Sequence, residues 1–185
     1  MTTTVDRPAA IRKALCALVA ERGFHGASMS AVARTAGVAT GTAYVHYASK
    51  EDLVHATYLE IKRDLGAAVL AGLDPDAVPP ERYRQLWTGM YTYLRDEPER
   101  ASFLVQLEAS PYYASALRLL QEQGDPLIAE AGRSDLLELL IDLPLDVLYA
   151  LSLGTAVRLA AAGVDLTIAE MEAIAAATWR AVTAG

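Results

Sequence analysis

Apolar residues recur at helical spacing from one end of this chain to the other, and no stretch sustains the alternation of a half-buried strand. That pattern restricts the fold to helices packed on helices. Ile11, Leu15, Leu18 and Val19 form one stripe, with Asp6 placed to cap its helix, Pro8 in the first turn and Gly23 to end it. Ser28 is placed to cap a short second helix whose apolar face is Met29, Val32, Ala33 and Ala36. Gly37 follows, and a third helix is expected to about Tyr47. Ser49 with Asp52 has the spacing of a capping box, opening a long fourth helix to about Ala71.

The segment 72–80, rich in proline, glycine and aspartate, is the strongest break in the chain. Beyond it, helices are expected near 80–95, 98–109 and 112–123. Gly124-Asp125-Pro126 then interrupts the pattern before another helical stretch to about Leu140. One further helix starts at Pro144 and ends at Gly163. The last opens on the capping box Thr167-Ile168-Ala169-Glu170 and runs to the C-terminus. The expected fold is all-α, with about nine helices in two domains. Residues 1–50 form a three-helix domain, and 51–185 form a helical bundle whose first helix, 51–71, is the connection.

With 185 residues the chain can bury a sizeable core. Its single cysteine, Cys16, excludes an intramolecular disulfide and a cysteine-based zinc cluster. Residues 1–13 contain no apolar run of the signal-peptide kind, and the uncharged run Val147–Val157 is too short to cross a bilayer. Cytoplasm is the expected compartment. All three histidines, His25, His46 and His55, fall in the first 55 residues, so the body offers no metal site and no cofactor is expected.

The net charge of −7 hides an asymmetry. Arg7, Arg12, Lys13, Arg22, Arg34 and Lys50 face only Asp6 and Glu21 in residues 1–50, a balance of +4; the remainder carries −11. A basic front on an acidic body can be drawn to phosphate through the front alone, although chance clustering on a solvated face gives the same count.

Between residues 28 and 47 the chain has the parts of a helix-turn-helix. Ala33 is small where two helices must approach, Gly37 can take a left-handed turn conformation, and Val38 can plug the turn onto the core. The following residues, Ala39 to Tyr47, are short and nearly free of charge. A helix–glycine–helix pattern also fits a plain helical corner.

The run from Gly23 to Leu53 closely resembles the DNA-binding region of the TetR family of transcriptional regulators. The resemblance is carried by Gly23-Phe24, Ala33, Ala36-Gly37-Val38, Gly41-Thr42, Tyr44, His46, Ser49-Lys50-Glu51 and Leu53. Three departures stand out. Tyr47 replaces the usual phenylalanine and brings a hydroxyl that needs a partner. Ala43 replaces a larger aliphatic residue, and Ala39 stands where a capping serine is frequent, which leaves the cap to Thr40.

The resemblance implies a double-stranded DNA operator as partner, with Tyr44, His46 and Lys50 on phosphates and Ser28 holding another at a helix N-terminus. Thr40, Gly41 and Thr42 would face the groove. No arginine or asparagine lies there for a bidentate base contact, so shape, thymine methyls and water are expected to carry specificity. Each residue has a plainer reading: Tyr44 as core, His46 as an idle surface residue, Lys50 as a solvated side chain. Lys50, however, opens a helix, where a cation opposes the dipole, and that oddity favours a nearby phosphate.

The resemblance further implies a homodimer joined through the last two helices and a C-terminal domain that binds a small organic effector. The sequence supplies a seam at helical spacing: Leu148, Ser152, Thr155 and Leu159, then Met171, Ala175, Thr178 and Val182, with Ile168 at the start. The same faces would serve equally as intramolecular core. Trp87, Tyr91, Phe103, Tyr112, Tyr113 and Tyr149 are the candidate lining of an apolar ligand site, and Arg118, like Arg158, a candidate partner for an anionic group. Packing is the competing use of the aromatics, and a salt bridge that of the arginines.

Two further function classes remain open at this point. A DNA-binding protein of the same fold without an effector would have a body filled by Trp87, Tyr91 and Phe103. An enzyme would need a glycine-rich phosphate loop, a nucleophile elbow or a metal-ligand spacing, and none is found. No membrane association is expected.

Overall fold

The computed structural model describes residues 6–133 and 136–184, and they divide into two compact units. Eleven α-helices and one short 3-10 turn make up the regular structure among the described residues. None is long and apolar enough to cross a membrane. The polypeptide passes between the units three times, at 61/62, 101/102 and 123/124.

The first unit, residues 1–61 and 102–123, contains α1 (Arg7–Gly26), α2 (Met29–Thr35), α3 (Thr40–His46), the first half of α4 (Lys50–Ala71), most of α6 (Pro98–Glu108) and α7 (Tyr113–Gln123). Asp6 caps α1 by accepting from the Ala9 amide at 3.2 Å, and Ile11, Leu15, Leu18 and Val19 are buried as their spacing requires. Gly23, at φ 70°, does not end the helix as expected. It kinks it, and one more turn follows to Gly26. The kink carries Phe24 against Phe103 and Tyr112, with ring centroids 5.4 and 5.6 Å away. Gln106 donates to the Val19 carbonyl at 2.8 Å, tying α6 to α1 just before the kink.

This division differs from the expected boundary at residue 50. Residues 102–123 join the first unit because Phe103, Gln106 and Tyr112 complete the core that α1 leaves open at its kinked end.

The second unit, residues 62–101 and 124–185, holds the rest of α4 together with α5 (Pro79–Asp96), α8 (Pro126–Arg133), the 3-10 turn at Leu137–Leu139, α9 (Leu145–Leu151), α10 (Leu153–Ala161) and α11 (Ile168–Val182). α5 packs against α10 and α11, burying Tyr83, Leu86, Trp87, Met90, Tyr91 and Leu94 along one face. Thr167 and Glu170 form the expected capping box of α11. The helical stretch expected up to Leu140 appears as α8 and the 3-10 turn; residues 134–135 between them lie outside the described residues.

The single helix expected over 144–163 is two. Ser152, at φ −119° and ψ −106°, separates α9 from α10, and its hydroxyl donates to the Leu148 carbonyl at 2.6 Å. Such back-bonding offers the carbonyl an alternative to the helix ladder and bends the chain. Gly154 is required on the far side, since a Cβ there would stand 2.8 Å from the Tyr149 carbonyl.

Candidate nucleic-acid interface

The turn between α2 and α3 follows from Gly37. Its φ of 69° lies in the left-handed region, which costs an L side chain about 1–2 kcal/mol and glycine almost nothing. The Gly37 amide donates to the Arg34 carbonyl at 3.2 Å and the Val38 amide to the Ala33 carbonyl at 2.9 Å, so α2 closes on itself before the chain turns. Ala33 is wholly buried at the approach of the helices, and Val38 is half-buried over the turn.

α3 is held from one side only. Ala43 is 0% exposed and is the sole fully buried residue of the helix, while Tyr47 at its C-cap is buried beside it. Thr40, Gly41, Tyr44, Val45 and His46 are exposed, and Thr42 is half-buried. The small alanine at 43 lets α3 lie close to its support, and Thr40, Gly41, Tyr44, Val45 and His46 stand clear of it. Tyr44, at 52% exposure, is not core. The expected cap on Thr40 is not formed: Ala39 is the N-cap, and no side chain accepts from the helix amides there.

The Tyr47 hydroxyl finds the partners its extra oxygen demands. It accepts from Arg12 at 2.6 Å and donates to the Pro8 carbonyl at 3.3 Å, while Arg12 pairs with Glu60 on α4. Burial pushes the Tyr47 phenol above the ordinary tyrosine range, against the opposing pull of Arg12. Three helices are thereby fixed at the C-terminal end of α3. The network was signalled in the sequence by the phenylalanine-to-tyrosine departure, although its partners were not.

Ser28 caps α2, accepting from the Ala31 amide at 3.2 Å, with its hydroxyl exposed. Lys50 has partners of its own within the first unit. Its ammonium donates to the Phe24 carbonyl and lies 5.8 Å from the centre of the Tyr112 ring. The C-terminal turn of α1 is where a cation is favourable, so its position in α4 is explained without a phosphate. Burial lowers the Lys50 pKa from its ordinary value.

Two family descriptions match the sequence. "Bacterial regulatory proteins, tetR family" spans residues 11–57, and "Tetracyclin repressor-like, C-terminal domain" spans residues 80–183. The chain belongs to the TetR family. An HTH-type transcriptional regulator of Haemophilus influenzae is 28% identical over 170 residues, 89% of each chain. The regulator UidR of Escherichia coli K12 is 42% identical over 43 residues, 23% of this chain and 22% of its own. Among solved structures, a TetR-family regulator from Haemophilus influenzae superposes with a TM-score of 0.78 at 26% identity over all of both chains. One from Marinobacter aquaeolei VT8, at 20% identity, shares the fold with a TM-score of 0.80 over 96% of this chain and 95% of its own. This is a TetR-family helix-turn-helix transcriptional regulator, all-α, with a DNA-binding N-terminal domain.

In this TetR-family chain the candidate ligand residues divide between the units. Trp87 and Tyr91 are fully buried in the second, stacked at 5.8 Å and 11°. Their polar ends are satisfied: the Trp87 indole donates to Thr155 at 2.9 Å, and the Tyr91 hydroxyl donates to the Val164 carbonyl at 2.6 Å and accepts from the Leu166 amide. Tyr149 is half-buried on α9. Phe103 and Tyr112 pack on Phe24 in the first unit, and half-buried Tyr113 begins α7. Arg118 and Arg158, the candidate partners for an anionic group, are both exposed, and Arg158 donates to the Ala150 carbonyl at 3.2 Å.

Of the expected dimer seam, Leu148, Ser152, Ala175 and Val182 are buried within the second unit. Thr155 and Thr178 are engaged by Trp87 and Tyr83 of α5, the latter at 2.9 Å. Leu159 and Met171 are half-buried. The inner periodicity of both helices thus serves the intramolecular core. Their outward residues, among them Ile168, Ala173, Ala176 and Ala177, are exposed.

Proposed function

We propose that this chain is a transcriptional repressor that binds a pseudo-palindromic operator as a homodimer and is released by a small apolar or aromatic ligand in its C-terminal domain. The DNA-binding part rests above all on the one-sided support of α3, with Ala43 inward and Thr40, Gly41, Tyr44, Val45 and His46 outward. A rod that slender and free of charge suits the major groove. Thr40, Gly41 and Thr42 face bases; Tyr44, His46 and the Ser28 hydroxyl meet phosphates and set the register. Lys50 adds a further phosphate contact with the donors that Phe24 leaves unused.

The homodimer is supported by the run of exposed apolar side chains in the second unit: Leu137, Leu139, Leu143, Leu145, Val147 and Leu151. A two-fold pair would set two recognition helices about 34 Å apart, one turn of DNA. Release requires the ligand to favour the DNA-free dimer, with a coupling of about 1–3 kcal/mol. A second reading, DNA binding without an effector, draws on the complete burial and hydrogen bonding of Trp87 and Tyr91.

Selection of duplexes from a random pool, followed by footprinting, tests the reading. The expected product is a symmetrical site bound by two chains, with affinity falling linearly in log salt. An asymmetric site occupied by one chain would sink the dimer. Affinity unmoved by any apolar or aromatic compound would leave the effector-free reading.

A further inference from the structure

We infer that Val45 is a specificity-determining residue of α3 and reads the C5 methyl group of a thymine in the major groove. The inference rests on the DNA-binding reading above and takes it to one atom of one base.

Ala43 fixes the inward direction of the helix. Successive residues turn about 100°, so residues two positions to either side point about 160° away from it. Those residues are Gly41 and Val45. Four apart, they are neighbours along the crest of the outward face. At Gly41 nothing but backbone protrudes, and an added Cβ would meet no atom within 4 Å. At Val45 an isopropyl group stands 82% exposed, more than any other large apolar side chain among the described residues.

Neither the fold nor the helix accounts for that valine. It adds little to any core at 82% exposure, and a β-branched residue on an exposed helix position lowers helix propensity. Its chemistry narrows the partner. An aliphatic group cannot hydrogen-bond to a phosphate or to a polar base edge. The hydrocarbon that projects from base pairs into the major groove is the thymine methyl. The bare backbone at Gly41 lets the crest come near enough for the two to touch.

The test uses the intact chain and the duplex obtained by selection, with each thymine replaced singly by deoxyuridine, which removes only the methyl. For the natural chain, one thymine in each half-site is expected to lose about fourfold in affinity on replacement, the value of one buried methyl group. Val45→Ala is expected to bind the unmodified site more weakly and to show no further loss at that thymine. Val45→Thr, which keeps one of the two γ-methyls, should fall between the natural chain and Val45→Ala at that thymine. Folding is not at issue, since alanine is the best helix former and the position is exposed. Equal losses for both chains at every deoxyuridine, or Val45→Ala binding like the natural chain, would overturn the assignment of Val45 alone. A natural chain that ignores every duplex would overturn the DNA reading and this inference with it.

Discussion

Arg12 and Tyr47 are joined by a 2.6 Å hydrogen bond in which the guanidinium of α1 donates to the phenol oxygen at the C-cap of α3. Because Arg12 also pairs with Glu60, its charge is shared between α3 and α4. Tyr47→Phe removes one partner and leaves the other. It is expected to lower unfolding stability by about 1–2 kcal/mol, whereas Arg12→Ala, which removes both the Tyr47 hydrogen bond and the Glu60 ion pair, should lose more, about 2–3 kcal/mol. Denaturant unfolding of both variants checks the order, and a Tyr47→Phe chain as stable as the natural one would show that Tyr47 contributes nothing beyond its ring.

Lys50 separates two uses of one ammonium. Lys50→Met keeps the stem but removes the charged donor to the Phe24 carbonyl, leaving it the longer 3.4 Å bond from the Ala27 amide, and the expected loss of stability is about 1–2 kcal/mol. If the remaining donors also face a phosphate, the slope of log affinity against log salt falls by about one for each chain. An unchanged slope beside a clear stability loss would confine Lys50 to the seam between α1 and α4.

Tyr83 should reveal itself at high pH. Burial pushes its hydroxyl up to about 12, against the pull of Thr178 and Ser152. The raised value means the folded chain favours the protonated phenol. The contribution to stability is therefore complete below about pH 10, the unfolded value, and is lost as pH climbs towards 12. A spectroscopic titration of the tyrosines should contain a late step that Tyr83→Phe removes. A full set of tyrosines ionising together near pH 10, with the chain still folded, would contradict the burial.

The helices were legible because caps and stripes are local: Asp6, Ser28 and the Thr167–Glu170 box all act where their spacing places them. Gly37 was legible for the same reason, since a left-handed turn needs no distant partner to be recognised. What the sequence could not reveal was long-range. Phe103 and Tyr112 read as candidate ligand-site residues until the kink at Gly23 brought Phe24 to them. Thr155 and Thr178 read as an outer seam because periodicity finds the buried face of a helix without saying what buries it. Lys50 seemed to oppose one helix dipole when in fact it completes another.

Gly37 and Gly41 lie four residues apart and should respond to alanine with opposite signs. At Gly37, with φ 69°, a Cβ meets no neighbour, so the whole penalty is conformational, about 1 kcal/mol or more. Gly41 is helical, exposed and equally open, and there alanine should raise stability by about 0.5–1 kcal/mol. Stability and function then part company at Gly41. The added methyl sits on the crest that faces the duplex, beside Val45, and holds the helix backbone away from the bases. Gly41→Ala is expected to melt higher than the natural chain and to bind its operator more weakly, with a greater loss on the selected site than on unrelated duplexes. Phosphate contacts, which make up most non-specific binding, would be less disturbed than contacts at the groove floor. A Gly41→Ala chain that is both more stable and undiminished in operator affinity would mean that this side of α3 does not approach DNA closely, and α3 would need another orientation in the groove.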